Sequence, residues 1–351
     1  MDAAGSSTTG AVLQLHATRH CNLSCTHCYS SSGPEHKGGL PEALVAGVIE
    51  DAAAEGYGIL SVSGGEPLMD PAFFRHAARA RGVGMAVNLV SNGTLIRPRL
   101  AERLAREVDL VGVSVDGPPA AHNLLRGSET AFAATERGLV ALRAAGARFA
   151  IIHTVRPESL KHLRWMVEFA REMGAAALQL HPLERAGRAA GAPRPGGEEA
   201  DLPTRLMLLA PGLRAAAGDM TLHVDVLELE AVASWSFGAG AAAPLARIID
   251  PLVLEPDGTL APFTFGAPRS LAIGDLRRET LAAAAARYRS LGGPQRAAAY
   301  LSTVRDRLVA RHPWPFVNWH EHLAGAAEPT ATRGPRAGSA MSPEQAFGRV
   351  L

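Results

Sequence analysis

Short strand-like and helix-like segments alternate along the first half of the chain. The strand-like segments are Ala11–Ala17, Ile59–Ser63, Met85–Val90, Leu110–Val115, Arg148–Val155 and Ala177–His181. The helix-like segments between them are Pro41–Glu55, Pro71–Ala80, Arg97–Arg106, Glu129–Ala145 and Ser159–Met173. This alternation predicts an α/β fold with a parallel sheet and right-handed crossovers, either open and doubly wound or curled into a partial barrel. In both arrangements functional residues gather at the carboxyl ends of the strands.

The second half of the chain is less regular. Ala186–Gly197 has the Gly, Pro and Arg content of a loop or linker. We predict the following elements after it: a helix at Pro203–Ala217, a strand near Thr221–Val226, two strands within Pro251–Leu260 joined by a Pro-Asp-Gly turn, and a helical pair at Thr280–Ser290 and Pro294–Val309.

Charge and hydropathy exclude several classes of protein. The formal net charge is +1, so there is no overall electrostatic case for binding nucleic acid or an anionic membrane. Charged and turn residues interrupt the apolar runs well before the roughly 18 residues that span a bilayer. Met1–Ser7 lacks the basic and apolar regions of a signal peptide. We therefore predict a cytoplasmic protein with no nucleic-acid or membrane partner.

All three cysteines of the chain fall within one short loop after the first strand. Cys21, Cys25 and Cys28 are spaced C-x3-C-x2-C and form no disulfide framework. Three thiolates can bind three corners of a metal centre and leave one position open, which is typical of reactive rather than structural sites. Sulfur ligands suit iron–sulfur clusters and zinc. A structural zinc site completed by His20 or His27 is the alternative interpretation.

Polar motifs follow three of the next strands. Ser63–Pro67 contains paired glycines, which allow close approach of a ligand, and Glu66, which can accept hydrogen bonds from an ammonium group. The same pattern also fits a tight turn with a capping acid. Ser91–Thr94 offers hydroxyl and amide groups suited to a ribose, although Asn-Gly is also a common turn. Ser114–Pro118 ends the fourth strand and carries the same two interpretations.

Together, these motifs resemble the radical S-adenosylmethionine (SAM) superfamily, and the match runs from about Val12 to Arg188. The resemblance implies that Cys21, Cys25 and Cys28 hold one [4Fe–4S] cluster, with SAM chelating the fourth iron. One electron from the cluster then cleaves SAM, and the 5′-deoxyadenosyl radical abstracts a hydrogen atom from the substrate. A reductant such as flavodoxin or ferredoxin is the implied electron donor.

The resemblance also implies which residues contact SAM. Gly64, Gly65 and Glu66 would contact the ammonium group, and Ser91 and Asn92 the ribose. Ser114 and Arg137 would contact the carboxylate, and Asp116, which follows the same strand as Ser114, would support SAM binding. Main-chain groups near His27 and Leu180 would contact adenine. The alternative for Arg137 is a solvated charge on a helix. His27 departs from the aromatic residue that often precedes the third cysteine.

Two further segments are similar to the subgroup that matures peptides and peptide-derived cofactors. They are Asp116–Gly127 and His181–Ala189, which would reach the substrate mouth, although a surface loop is the alternative for the second. Pro256–Phe263 and Ile273–Leu276 resemble the scaffold of the SPASM or twitch extension. Phe263 stands where an auxiliary-cluster cysteine would lie, and no cysteine follows Cys28. The predicted fold is thus a partial (β/α)6 barrel with a small α+β extension that carries no Cys-ligated cluster.

The predicted domain organisation has four parts. They are a flexible N-terminus at 1–10, a radical SAM core at 11–188, a degenerate SPASM/twitch-like extension at 189–323 and a disordered tail at 324–351. The expected substrate is a ribosomal peptide or another natural-product precursor, and a peptide substrate would need a separate leader-peptide-binding protein. The alternatives are a small-molecule decarboxylase, dehydratase or cofactor-biosynthesis enzyme, and a zinc or Fe–S regulatory protein. The sequence does not select a general base among Asp225, Glu255 and Asp257.

Overall fold

The computed structural model describes residues 10–191, 201–238, 240 and 243–325. Its strands are β1 Ala11–Leu15, β2 Tyr57–Val62, β3 Ala86–Ser91, β4 Leu110–Ser114, β5 Phe149–Val155, β6 Ala177–Pro182, β7 Thr221–Val224, β8 Leu227–Glu228, β9 Leu252–Leu254, β10 Thr259–Pro262, β11 Gly274–Asp275 and β12 Phe316–Val317. Its α-helices are α1 Glu42–Ala54, α2 Phe73–Gly82, α3 Pro98–Glu107, α4 Pro119–Arg126, α5 Ala131–Ala144, α6 Leu163–Met173, α7 Leu202–Ala217, α8 Leu229–Ser234, α9 Leu281–Ser290, α10 Gly293–Arg311 and α11 Trp319–Gly325.

One large sheet organises the described part of the chain. Its strand order is β11-β10-β9-β1-β2-β3-β4-β5-β6-β7. Neighbours from β1 to β7 pair in parallel, and β4 is apolar and almost wholly buried. Strands that are covered on both faces need such continuous apolar sequence, because neither face reaches water.

The consecutive order of β1 to β6 distinguishes the two predicted arrangements. A doubly wound sheet reverses its strand order at a switch point, whereas right-handed crossovers between successive neighbours place all helices on one face. The sheet therefore curls with its helices outside, and the predicted partial barrel is confirmed. It remains open, since β7 and β11 are at opposite ends of the order.

The extension adds strands to both ends of this sheet. Strand β7 pairs with β6, and β9 pairs in parallel with the outer edge of β1. Strands β9 and β10 form the predicted hairpin around the Pro-Asp-Gly turn. The domain boundary between 188 and 189 remains a prediction, but elements from both sides of it share one sheet.

Several elements differ from the prediction. Helix α4 was not predicted, and the segment from Pro157 to His162 forms a 3-10 helix before α6. Residues 1–9 and 192–200, and the predicted tail from 326 onward, lie outside the described residues. In the part of the chain that the structure describes, no helix combines the length and apolar character that crossing a membrane requires.

Candidate active site

A cavity of about 370 Å³ opens at the carboxyl ends of the parallel strands. The cysteine loop after β1, the ends of β2 to β6 and the extension all contribute to its wall. Of the predicted site residues, those that line it are Cys21, Cys25, His27, Cys28, Gly64, Gly65, Ser91, Asn92 and Ser114. Segments far apart in sequence meet here because the carboxyl ends of parallel strands share one edge of the sheet.

The cysteine loop presents three sulfur atoms to this cavity. Cys21 and Cys25 are buried and Cys28 is half-buried. Each sulfur receives a hydrogen bond from a nitrogen of another residue: Cys21 from the Asn92 side chain at 3.9 Å, Cys25 from Arg126 at 3.8 Å, and Cys28 from the Ser32 amide at 3.3 Å. Such donors stabilise the negative charge of thiolates that bind a metal centre.

The paired glycines hold the turn after β2 against the cysteine loop. Gly64 has a φ of +106°, and a Cβ atom at Gly65 would lie 2.2 Å from the carbonyl oxygen of His20. The amides of Gly65 and Glu66 donate to the carbonyls of Thr18 and His20 at 2.9 Å each. Glycine is therefore required because the chain's own backbone approaches closely, and the same glycines line the cavity.

Glu66 lies behind the cavity wall rather than on it. Its carboxylate is fully buried and accepts hydrogen bonds from the Ser91 hydroxyl and the Asn92 amide at 2.9 Å each, and from the Leu68 amide at 3.2 Å. Burial raises the pKa of this carboxyl group, and these donors oppose the shift. Glu66 thus joins the ends of β2 and β3, which corresponds to the capping interpretation of the motif.

Asn92 connects the end of β3 to the cysteine loop. Its side-chain nitrogen donates to the side-chain oxygen of Asn22 at 2.9 Å, and its oxygen accepts from the amide and hydroxyl of Thr94 at 2.9 and 2.6 Å. The hydroxyl of Ser91 is likewise engaged, because it donates to Glu66 and accepts from the Gly93 amide at 3.0 Å. Both residues line the cavity, but most of their polar groups hold the site together.

Asp116 forms the centre of a buried charged cluster beside the cysteines. Its carboxylate lies 2.8 Å from Arg126, 3.3 Å from His27 and 4.0 Å from His153. Burial opposes ionisation of Asp116, but the nearby guanidinium and imidazoles outweigh it and hold the pKa well below its usual range. Burial also lowers the pKa of His27 to about 4, so Arg126 provides the fixed positive charge of this cluster.

Two arginines of the site were not assigned a cofactor role from the sequence. Arg126 ends α4, where it bridges Asp116 and Cys25. Arg188 binds the cysteine loop at three points: its amide donates to the carbonyl of Cys28 at 3.0 Å, and its guanidinium donates to the carbonyls of Cys25 at 2.7 Å and Ser32 at 2.6 Å. Gly187, the residue before Arg188, has no room for a side chain, since a Cβ would lie 2.2 Å from the Tyr29 carbonyl oxygen.

The structure does not bring Arg137 or Leu180 to the cavity. Arg137 is exposed on α5, while Thr135 of that helix donates its hydroxyl to the Asn92 carbonyl at 2.8 Å. Two residues along a helix turn the side chain by about 200°, which points Arg137 to the other face. Leu180 is fully buried in β6, and its carbonyl accepts the Asp225 amide at 3.0 Å. Its neighbours Gln179 and His181 line the cavity instead.

Phe263 brings the extension into the site. It is buried with a φ of +68°, a left-handed conformation that is rare for a bulky residue. Together with Thr264 and Phe265 it lines the cavity. The Phe265 ring lies 4.7 Å from that of His16 and 5.3 Å from that of Tyr29, so this loop packs over the end of the cysteine loop.

The donor set fits an iron–sulfur cluster better than the zinc alternative. Across the described ranges, no three His, Cys, Asp or Glu side chains are arranged to hold one metal ion. A [4Fe–4S] cluster does not require that arrangement, because its cysteine ligands bind different iron atoms. His27, one of two candidates for the fourth zinc ligand, is instead paired with Asp116.

Comparison with known proteins agrees with this geometry. The radical SAM superfamily model matches residues 15–170. An AdoMet-dependent heme synthase of Methanosarcina barkeri is 37% identical over 174 residues, which cover 49% of this chain and 50% of that protein. A mycofactocin maturase MftC of Mycobacterium ulcerans is 32% identical over 221 residues, covering 61% of this chain and 59% of the relative. The chain spans about half the length of that heme synthase and of other curated AdoMet-dependent heme synthases that it matches.

Solved structures share the fold over a longer range. Native anSMEcpe with bound AdoMet superposes with a TM-score of 0.61 at 19% identity, over 90% of this chain and 88% of that one. Streptococcus suis SuiB bound to its precursor peptide SuiA gives 0.57 at 13% identity, over 73% and 60%. Residues 15–170 of this chain therefore form a radical SAM domain, a family whose cofactors are a [4Fe–4S] cluster and SAM.

Proposed function

We propose that this protein is a radical SAM enzyme with one [4Fe–4S] cluster bound by Cys21, Cys25 and Cys28. The observation that carries the proposal is the cysteine loop, in which every sulfur has a hydrogen-bond donor and lines one cavity. When bound, the cluster would supply the electron that cleaves SAM and starts hydrogen abstraction from the substrate. The described residues hold this loop from three sides, through Gly65, Arg126 and Arg188.

The proposed SAM site is the part of the cavity next to the cysteines. Gly64, Gly65, Ser91, Asn92 and Ser114 line this part and retain their proposed roles. Arg126 replaces Arg137 as the cation that would lie near the SAM carboxylate, because its guanidinium contacts Cys25 and lines the cavity. Asp116 would support SAM binding indirectly, because its carboxylate holds the Arg126 guanidinium in place. Glu66 would do so by holding Ser91 and Asn92.

The proposed substrate is a peptide or another natural-product precursor, with a flavodoxin or ferredoxin as reductant. The similarity to mycofactocin maturases and the fold shared with peptide-bound SuiB support it. A separate leader-peptide-binding protein stays part of this proposal. The second candidate is cofactor biosynthesis, which the higher identity to AdoMet-dependent heme synthases favours.

Metal analysis tests the single-cluster part of the proposal. Protein reconstituted with iron and sulfide under anaerobic conditions should hold about four iron atoms per chain and show broad visible absorbance. A triple Cys→Ala variant should lose both. A content of about eight iron atoms, or unchanged iron in the variant, would contradict the proposal. Zinc bound at one per chain, with no iron uptake, would favour the regulatory alternative.

A further inference from the structure

A second polar cluster lines the cavity at the ends of β6 and β7. Gln179, His181, Glu184 and Asp225 form it, and we name it the acceptor wall. Gln179 and His181 lie in β6, Glu184 follows β6 and Asp225 follows β7, whereas the cysteine loop follows β1. None of them contacts a cysteine in the described hydrogen bonds, so the wall has no part in holding the proposed cluster.

His181 is held between two carboxylates. Its Nδ1 lies 2.7 Å from Asp225 and its Nε2 lies 3.2 Å from Glu184. Burial opposes protonation, but the hydrogen bonds to these carboxylates outweigh it and raise the His181 pKa to about 10. Both ring nitrogens are therefore occupied, and the imidazolium has no proton left to donate to a ligand.

The acceptor wall can still accept hydrogen bonds from a ligand. Within the wall two carboxylates face one imidazolium, while His223, which does not line the cavity, lies 2.9 Å from the other oxygen of Asp225. Neighbouring His320 adds no charge, since burial lowers its pKa. The side-chain nitrogen of Gln179 donates to Asp225 at 2.6 Å, and its buried oxygen has no partner among the described residues. A ligand group that donates hydrogen bonds and carries positive charge would satisfy this wall.

An apolar surface completes the same cavity. Phe263 and Phe265 lie on a loop whose Gly266 amide donates to buried Glu255 at 2.8 Å. Arg269 pairs with Glu255 and with Asp257 at 2.8 Å each, so Glu255 is already engaged by a cation. The two arginines that line the cavity, Arg126 and Arg188, are engaged at the cysteine loop. Among the described residues that line the cavity, His181 is the cation held within the acceptor wall.

We propose that the acceptor wall binds a protonated amine of the substrate, with an apolar group of the same molecule against Phe263 and Phe265. This deepens the proposed function and rests on it, since the wall would orient a substrate for hydrogen abstraction. An amine-bearing peptide or natural product fits the wall. A substrate rich in carboxylates, such as a tetrapyrrole with its propionates, meets repulsion there.

Two small probes of matched shape test this inference. We would measure the binding of 2-phenylethylamine and 3-phenylpropionate to the reconstituted, SAM-loaded full chain by ligand-observed NMR under anaerobic conditions. The amine should bind about ten-fold more tightly than the carboxylate, in keeping with one charge-assisted hydrogen-bonded contact. Equal affinities, or tighter binding of the carboxylate, would overturn the proposal.

Variants locate the binding. Glu184→Gln and Asp225→Asn keep the side-chain shape and should weaken amine binding about five- to ten-fold, while SAM affinity and iron content stay within about two-fold. Glu168→Gln, which loses only an exposed pair with Arg164, is the matched control and should change nothing. A fall in SAM affinity with unchanged amine binding would assign the wall to SAM and overturn the proposal.

A further measurement distinguishes failure of the proposed amine site from failure of the proposed radical SAM activity. Reductant-dependent formation of 5′-deoxyadenosine in the same preparation reports the proposed function alone. If it forms while the amine shows no preference, only the subsite is refuted. If a variant does not fold, the comparison of the two probes on the unaltered protein still decides.

Discussion

Arg126 is the residue on which the buried charges of the site depend. It lies 2.8 Å from Asp116, whose carboxylate is almost wholly buried, and it donates to Cys25. Removing one partner of a buried ion pair leaves the other charge desolvated, which costs far more than losing an exposed pair. Arg137 provides the comparison, because it is exposed on α5 and away from the cavity.

Arg126→Met should therefore lower the free energy of unfolding by about 3–5 kcal/mol. Arg137→Ala should change it by less than about 0.5 kcal/mol and leave SAM affinity unaltered. Urea unfolding and SAM titration measure both. Adding Asp116→Asn to Arg126→Met should recover much of the stability, since the unpaired charge is then gone. A large loss of SAM affinity in Arg137→Ala would restore the sequence-based assignment.

His181 gives the protein a dependence of stability on pH. Its folded pKa of about 10 lies above the unfolded value of about 6.5. A raised pKa adds stability that is fully present below pH 6.5 and is lost as the pH rises through 10. The free energy of unfolding should fall over that range, and His181→Gln should flatten the decline. Identical pH profiles for both proteins would contradict the expected pairing with Asp225 and Glu184.

The sequence predicted the positions of some functional residues correctly and of others incorrectly. The cysteines and the strand-end residues Ser91, Asn92 and Ser114 line the cavity as expected, because polar residues directly after an apolar run indicate the end of a strand. To choose between Arg126 and Arg137, one must know which helix face meets the cysteine loop. The spacing of residues in the sequence does not give this information. Both follow the same strand, β4.

At the scale of elements, tight turns packed against the cysteine loop determine its shape. Gly65 and Gly187 both lie where a Cβ would meet a backbone carbonyl at 2.2 Å. The segment around Gly187 was expected to reach the substrate mouth or to be a surface loop, yet Arg188 binds three carbonyls of the cysteine loop. In the sequence, a glycine followed by an arginine within a loop was the feature that could have indicated this contact with the cysteine loop.

Gly187→Ala should disturb this packing, because the backbone has a φ of +56° and no room for a methyl group. We expect lower iron content after reconstitution and a loss of roughly 1–3 kcal/mol in unfolding free energy. Gly212→Ala, at an exposed position of α7, has no atom within 4 Å of the added methyl and should instead stabilise by about 0.5–1 kcal/mol. Full iron loading in Gly187→Ala would show that this turn does not shape the loop.

Helix α4 shows why one element was missed. Its eight residues run from Pro119 to Arg126, and Gly127, with a φ of +65°, caps its end. Proline is favoured in the first turn of a helix, yet the same Gly-Pro-Pro pattern marks a turn when read alone. The longer alternating segments were predictable because their periodic patterns extend over more residues.

At the scale of the whole molecule, described residues of the barrel and of its extension line the same cavity. The alternation of segments left two strand orders possible, and β1 to β6 follow the order of a partial barrel. The pairing of β9 with β1 was not foreseen, because long-range contacts between short strands leave no local pattern. This pairing brings Phe263 and Phe265 into the cavity beside the cysteine loop.

The most direct test of the central claim is the cleavage of SAM. Reconstituted protein incubated anaerobically with SAM and dithionite should form 5′-deoxyadenosine, measured by liquid chromatography with mass spectrometry. Formation should cease without reductant and in the triple Cys→Ala variant, while Glu168→Gln should match the unaltered protein. If protein with about four iron atoms per chain forms no 5′-deoxyadenosine, the cysteine loop is not a radical SAM centre.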